Sequence, residues 1–208
     1  MCLNNENLSL FRLCNNITLA ASDITSAFHS ADTTIHEDRF VKWNGRNHKG
    51  SIINVDGSCI GTPSRAGYGG VIRNNASLFI SGFSGFIPHS TDILLAELTA
   101  IYQGLNMAMD LNMNDFMCYS DSLLAVNLIM NDTPRFHIYA VLIQNIKDLL
   151  VDRNFSLHHT LREGNQCAIY FAKLGAISDA QFVVHQSPPT DLLPMLRADA
   201  MGTYFVRS

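Results

Sequence analysis

The sequence has no excess of positive charge. Its 208 residues include 14 Lys and Arg against 18 Asp and Glu, which gives a formal net charge of −4 at pH 7. A broad basic surface that binds nucleic acid without specificity is therefore not expected, because such binding depends on neutralising many phosphates. A local site in which metal ions offset acidic side chains is compatible with this charge.

Charged residues of both signs are also scarce. They make up 15% of the chain, compared with about 25% in typical soluble domains. Hydrophobic residues reach 47%, so the composition excludes an intrinsically disordered chain and supports a proper core. The length fits one domain with extensions.

Paired cysteines and long apolar runs are lacking. The five cysteines form no CxxC motif, so we expect neither a zinc site nor a disulfide framework, and a reducing compartment; they are Cys2, Cys14, Cys59, Cys118 and Cys167. No apolar run approaches the roughly 20 residues that span a bilayer. Residues 1–6 lack the positive start of a signal peptide. We expect a soluble intracellular protein, nuclear or cytoplasmic, without a membrane partner.

Clear periodic patterns begin at about residue 51. We predict an N-terminal extension at residues 1–46, with candidate short helices at 8–13 and 17–28, a domain at 47–178 and a C-terminal tail at 179–208. The order βββαβααβα predicts an α/β fold with a five-stranded mixed sheet covered by helices, beginning with an antiparallel meander. The predicted strands are 51–56, 67–73, 78–86, 115–120 and 155–162, and the predicted helices are 91–112, 123–130, 137–150 and 163–177.

Three acidic residues lie where the chain changes from one element to the next. Asp56 ends a predicted strand, Glu97 borders the apolar face of a predicted helix, and Asp121 follows another strand. Each has an ordinary explanation, as a turn residue, a boundary Glu whose head reaches solvent, and a helix N-cap respectively. If the fold brings them together, they form a carboxylate cluster suited to holding divalent metal against a phosphodiester.

These acids lie within longer motifs that together resemble the type 1 ribonuclease H family. The resemblance is closest to its plant reverse-transcriptase-like branch, which is related to the ribonuclease H parts of non-LTR retroelements, and it covers roughly residues 42–177. It implies a ribonuclease H-like three-layer fold, in agreement with the predicted element order. The motifs are Asn54-Val55-Asp56-Gly57-Ser58, Ala66-Gly67-Tyr68-Gly69-Gly70-Val71-Ile72-Arg73, Ala96-Glu97-Leu98-Thr99-Ala100-Ile101, Ser120-Asp121-Ser122, Leu161-Arg162-Glu163-Gly164-Asn165-Gln166-Cys167-Ala168 and Ala172-Lys173-Leu174-Gly175.

The resemblance implies cleavage of the RNA strand of an RNA–DNA hybrid with two divalent ions, Mg²⁺ or alternatively Mn²⁺. Asp56 would be shared by both ions, and Glu97 and Asp121 would complete the metal shell. His159 stands where the family often has a mobile histidine that assists product release. The alternatives are its neighbour His158, or an ordinary histidine at a strand end. The predicted substrate-binding residues are Asn165 and the segment beside the first acid, Gly57, Ser58 and Cys59, which can offer backbone groups to a ribose. We expect a monomer.

One position departs from the family pattern. Ile169 follows Cys167-Ala168, where the resemblance implies a fourth acidic ligand. An isoleucine offers no oxygen to Mg²⁺. The first hypothesis is therefore a ribonuclease H weakened at one metal position. The second is a nucleic-acid-binding module with an impaired site, derived from a retroelement, and the third is another enzyme of the wider fold, such as an integrase or resolvase.

Arg73 closes the second predicted strand. We expect it to be a solvated strand residue, with a phosphate contact as the alternative. Recognition of the hybrid should depend mostly on shape, since a wide minor groove displays the 2′-hydroxyls that distinguish RNA from DNA.

Overall fold

The computed structural model describes residues 39–43, 50–113, 116–132, 136–153 and 155–207. The short helices predicted at 8–13 and 17–28 lie outside these ranges. Residues 39–207 belong to one compact unit. Among the residues described, no helix is long and apolar enough to cross a membrane.

A six-stranded mixed sheet forms the centre of this unit, with the strand order β6-β5-β2-β3-β4-β7. The α/β class is confirmed, and the predicted antiparallel meander is formed by β2, β3 and β4. β5 pairs parallel to both β2 and β6. The six strands are β2 (Ser51–Ile60), β3 (Arg65–Arg73), β4 (Phe79–Ile87), β5 (Phe116–Ser120), β6 (Ser156–His159) and β7 (Val183–His185), and a separate pair is formed by β1 (Arg39–Val41) and β8 (Phe205–Arg207).

Within the described ranges, five α-helices cover the two faces of the sheet. They are α1 (Ile93–Asp110), α2 (Leu123–Met130), α3 (Ala140–Arg153), α4 (Gln166–Ile177) and α5 (Leu193–Met201). The larger core joins α1, α2 and α3 to one face through residues such as Ile53, Leu98 and Ile146. The smaller core joins α4 and the segment at α5 to the other face, where Leu196 packs with Val71 and Phe171. This is a three-layer arrangement with the sheet in the middle.

α1 follows the predicted apolar stripe closely. Leu98, Ile101 and Leu105 are fully buried, as expected for residues that recur on one helical face. The N-cap is Asp92, whose carboxylate accepts the N–H groups of residues 94 and 95. The helix therefore begins two residues later than predicted.

Two other helices begin at a later residue than predicted. α3 covers 140–153 instead of the predicted 137–150. The predicted helix at 163–177 begins at Gln166, because residues 162–164 form a 3-10 turn and Asn165 has non-helical backbone angles. This turn places the Asn165 side chain toward the strand ends instead of along the helix.

The sheet has one strand more than the predicted five. β7 comes from the predicted tail and pairs antiparallel with β4, with Val184 opposite Phe83. A three-residue strand is too short to display a period of two in the sequence. The tail also forms α5 and β8, although the division into extension, domain and tail remains a prediction.

Candidate metal centre

Two parallel strands bring Asp56 and Asp121 side by side. In the register between β2 and β5, Val55 lies opposite Ser120. Asp56 follows Val55 within β2, and Asp121 follows Ser120 just beyond the end of β5. Both carboxylates therefore lie at the same edge of the sheet. Glu97 reaches this edge from the beginning of α1, and one carboxylate oxygen from each residue lies within 4.8 Å of those of the other two.

Glu97 is held in place by the backbone of β2. The Gly57 N–H donates to Glu97 Oε2 at 3.0 Å. The helix lies so close to this point that a Cβ on Gly57 would be 2.4 Å from the Glu97 backbone nitrogen. Only glycine permits this approach. The Gly57 N–H binds the glutamate, and a contact of the Gly57 backbone with a ribose stays a prediction.

Asp121 is held by Asn165 from the opposite helical layer. The Asn165 Nδ2 group donates to Asp121 Oδ1 at 2.8 Å and to the Val55 carbonyl oxygen at 2.9 Å. Asn165 is completely buried. The structure thus places this predicted substrate-binding residue behind the carboxylates, where it supports Asp121.

The three carboxylates perturb one another strongly. Burial raises the pKa of Asp56 to about 9, and the negative charges of Glu97 and Asp121 add to this shift, while the Arg162 guanidinium opposes it. Burial and the charge of Asp121 raise the pKa of Glu97 to about 8, although the hydrogen bond from the Gly57 N–H and the positive charge of Arg162 act to lower it. The cluster therefore lacks positive charge, and its oxygen donors fit a hard divalent cation such as Mg²⁺.

The other predicted site residues lie near this edge with different exposure. His159 is exposed at the end of β6 and pairs with Ser120, the residue before Asp121. The ring of His158 lies 5.4 Å from that of Tyr119. Ser58 is buried, and the Cys59 thiol is hydrogen-bonded to a backbone carbonyl in the segment before α1.

Ile169 lies one helical turn after Asn165. Its N–H donates to the Asn165 carbonyl oxygen at 3.1 Å, and its side chain is 5% exposed. Residues four apart share one face of a helix. That its side chain faces the acid cluster remains a prediction.

Sequence reasoning missed a buried polar network behind the acids. The Asn54 Oδ1 atom accepts hydrogen bonds from Trp43 Nε1 at 3.2 Å and from Arg73 Nη2 at 2.7 Å. The prediction of a solvated Arg73 was wrong, since its side chain is fully buried and forms an ion pair with Asp199. The strand period places Asn54 on the same face as Asp56, which could have indicated its role, but no local pattern indicates Asp199.

Arg162, in the motif at residues 161–168, is a positively charged residue close to the acid cluster. It is exposed in the 3-10 turn just before Asn165. The turn is tied to the site because the Thr160 N–H donates to the Ser120 carbonyl oxygen at 2.9 Å. Its positive charge acts to lower the pKa values of Asp56 and Glu97, which burial raises.

Comparison with known proteins agrees with this architecture. The sequence model of the family described as reverse transcriptase-like matches residues 54–175, which is more than half of the chain. The chain therefore belongs to the reverse transcriptase-like family. Among proteins with curated descriptions, none matches the sequence.

Solved structures share the fold at low sequence identity. RNase H1 from the archaeon Halobacterium salinarum NRC-1 gives a TM-score of 0.54 at 21% identity, covering 60% of this chain and 96% of that one. LC11-RNase H1, isolated from compost and solved with an RNA/DNA hybrid, gives 0.53 at 23% identity, covering 61% and 96%. The protease-reverse transcriptase of prototype foamy virus gives 0.54 at 16% identity, covering 66% and 22%. The unit thus has a ribonuclease H-like fold.

Proposed function

We propose that this protein is a Mg²⁺-dependent ribonuclease H that hydrolyses the RNA strand of RNA–DNA hybrids endonucleolytically. The observation that carries the proposal is the convergence of three carboxylates, one oxygen of each within 4.8 Å of the others, at the edge of a ribonuclease H-like sheet. The deficit of positive charge at this cluster supports a cation ligand. Family membership supports nucleic acid as the substrate class.

Each acid has a distinct support that suits it to this task. Asp56 is fixed by its place within β2, Glu97 is oriented by the Gly57 N–H, and Asp121 is oriented by Asn165. When bound, two divalent ions would activate a water molecule and stabilise the leaving oxygen of the phosphodiester. The residues fix three oxygen ligands in advance, so that little reorganisation is needed on binding.

The substrate contacts are proposed to lie at the same edge of the sheet. His159 pairs beside the end of β5 and is exposed, which suits the proposed role in product release. The backbone of Ser58 and Cys59 continues β2 beyond Asp56 and is proposed to contact a ribose. The partner is thus an RNA–DNA hybrid or a related nucleic acid, bound by a monomer.

Ile169 favours a second candidate function. A buried isoleucine replaces the fourth acid that the family resemblance implies, and it leaves one ion with fewer ligands. The alternative is a nucleic-acid-binding module whose catalytic site is impaired. The two candidates share the fold and the three acids and differ only in turnover.

A cleavage assay tests the first candidate directly. A labelled RNA–DNA hybrid incubated with the protein and Mg²⁺ or Mn²⁺ should yield internally cut RNA. Mutation of a residue that supports a metal ligand typically costs ~10–100-fold in activity, so Asp56→Asn, which changes a ligand itself, should reduce cleavage by at least this factor. It should also abolish the rise in melting temperature caused by metal. The matched control is Asp152→Asn, the same change at an exposed acid of α3, which should leave both unchanged.

Two results would decide against catalysis. Hybrid binding without cleavage in either metal would select the binding module. A metal-induced rise in melting temperature that persists in Asp56→Asn would place the metal outside this cluster.

A further inference from the structure

A chain of hydrogen bonds runs from the C-terminal helix to Asp121. The Asp199 Oδ2 atom on α5 lies 2.5 Å from Arg73 Nη1, and Arg73 Nη2 donates to Asn54 Oδ1 at 2.7 Å. Asn54 Nδ2 donates to Asn165 Oδ1 at 3.0 Å, and Asn165 Nδ2 donates to Asp121 Oδ1 at 2.8 Å. The first four residues are buried. The chain thus connects a segment near residue 200 to a proposed metal ligand.

The direction of this chain is fixed at the end near Arg73. A guanidinium and an indole N–H can only donate hydrogen bonds. Both Arg73 and Trp43 donate to the same atom, Asn54 Oδ1. The amide oxygen of Asn54 must therefore face them, and its NH₂ group must face Asn165. The oxygen of Asn165 is then occupied, so its NH₂ group faces Asp121.

Asp199 is needed to keep Arg73 in this position. The Arg73 side chain is fully buried, and a buried cation without a partner is strongly destabilising. Asp199 supplies the opposite charge, and the Trp43 ring lies 3.8 Å from the guanidinium carbon. Burial raises the pKa of Cys167 to about 12, so its thiol stays protonated and donates to Asp199 at 3.4 Å.

We propose that Arg73, paired with Asp199, is a positioning residue for the metal ligand Asp121. It acts by fixing the amide orientation of Asn54, whose NH₂ group then holds the Asn165 oxygen. With the Asn54 amide reversed, its oxygen would face the Asn165 oxygen and repel it, and Asn165 would hold Asp121 less firmly, even though its NH₂ group still faces the Val55 carbonyl oxygen. This inference rests on the proposed metal site.

The proposal extends the site beyond the segment shared with the family. The family match covers residues 54–175. Trp43 precedes this range and Asp199 follows it, yet Trp43 donates to Asn54 and Asp199 pairs with Arg73 within the chain described above. The segments flanking the family match would therefore take part in metal binding through Asn54 and Asn165.

The double variant Arg73→Met/Asp199→Leu separates positioning from stability. Replacing a buried ion pair by apolar residues of similar size is often neutral or stabilising, so this variant should fold. Its affinity for Mn²⁺, measured by isothermal titration calorimetry, should fall about 10-fold, as expected when the support of a metal ligand is lost. A purely structural ion pair would leave the affinity of the folded variant unchanged.

A second variant and a matched control complete the test. Arg73→Lys keeps a charge for Asp199, but one ammonium does not reproduce the two nitrogens that reach Asp199 and Asn54. Arg73→Lys should therefore also weaken Mn²⁺ binding. If the double variant does not fold, the Mn²⁺ affinity of Arg73→Lys tests the positioning role by itself. The control Arg65→Met/Asp179→Leu removes the exposed ion pair of 2.8 Å and should bind Mn²⁺ normally.

The outcomes distinguish this inference from the proposed function. Absence of Mn²⁺ binding in the unmodified protein would refute the metal site itself. Binding by the unmodified protein with an equal dissociation constant in the folded Arg73 variants would overturn the positioning role alone. Weaker binding in the Arg65 control as well would show an unspecific effect of removing charge and would also overturn it.

Discussion

Ile169 is the residue that separates the two candidate functions. It is 5% exposed and lies one turn beyond Asn165 on α4. An aspartate at this position should add an oxygen ligand, so Ile169→Asp should increase hybrid cleavage in Mg²⁺. Without metal, the buried charge should lower the free energy of unfolding by about 1–3 kcal/mol, and added Mg²⁺ should recover part of this loss.

Denaturant unfolding with and without Mg²⁺, together with the cleavage assay, measures these opposite responses. Ile169→Asn is the matched control, since it buries a polar group of similar size without charge. It should lose stability with no recovery by metal. Cleavage by Ile169→Asp that equals that of the unmodified protein at every Mg²⁺ concentration would show that the missing acid does not limit the site.

At the scale of elements, the contact between β2 and α1 positions Glu97. Gly57→Ala would place a Cβ 2.4 Å from the Glu97 backbone nitrogen and 2.7 Å from the Ala96 carbonyl carbon. Because both are backbone atoms, the helix must move. We expect a loss of about 1–3 kcal/mol in the free energy of unfolding, and a smaller rise in melting temperature with Mn²⁺.

Gly164→Ala provides the control for this prediction. The nearest atom to a Cβ at Gly164 lies 3.5 Å away, which is an ordinary contact. Gly164→Ala should therefore change the melting temperature much less than Gly57→Ala does. Equal losses in the two variants would mean that the close approach of α1 does not restrict residue 57.

At the scale of the whole molecule, stability should depend on pH through the acid cluster. Asp56 and Glu97 have folded-state pKa values raised to about 9 and about 8, from ordinary values of 3.8 and 4.5. The folded state therefore holds more protons than the unfolded state between these values. The stabilisation is complete at about pH 4 and is lost as the pH rises toward 9.

Urea unfolding of the metal-free protein at pH 5 and pH 9 measures this loss. Mg²⁺ should reduce it, because the ion binds the deprotonated carboxylates. Asp56→Asn should weaken the pH dependence, since it removes one of the shifted groups. A pH dependence that is the same in this variant and in the unmodified protein would assign the titration to other residues.

The sequence alone determined the main strands and helices between residues 51 and 177 and the three acids. Hydrophobic residues at a period of 3.6 mark α1, because this pattern is a local consequence of helix geometry, and the short apolar run before Asp56 marks β2. Asp56, Glu97 and Asp121 stand out at the ends or borders of such patterns. The motifs around them carry the family resemblance, which the match to residues 54–175 confirms.

Only the tertiary structure decided what surrounds and supports those acids. Arg73 and Asp199 are 126 residues apart in the chain, and β7 has three residues, so neither the ion pair nor the sixth strand leaves a local pattern. The sequence could place Asn165 in a motif but could not show that it is buried behind Asp121. Such contacts depend on which surfaces the folded layers bring together. A hydrogen bond between side chains that are distant in the chain produces no periodic pattern in the sequence.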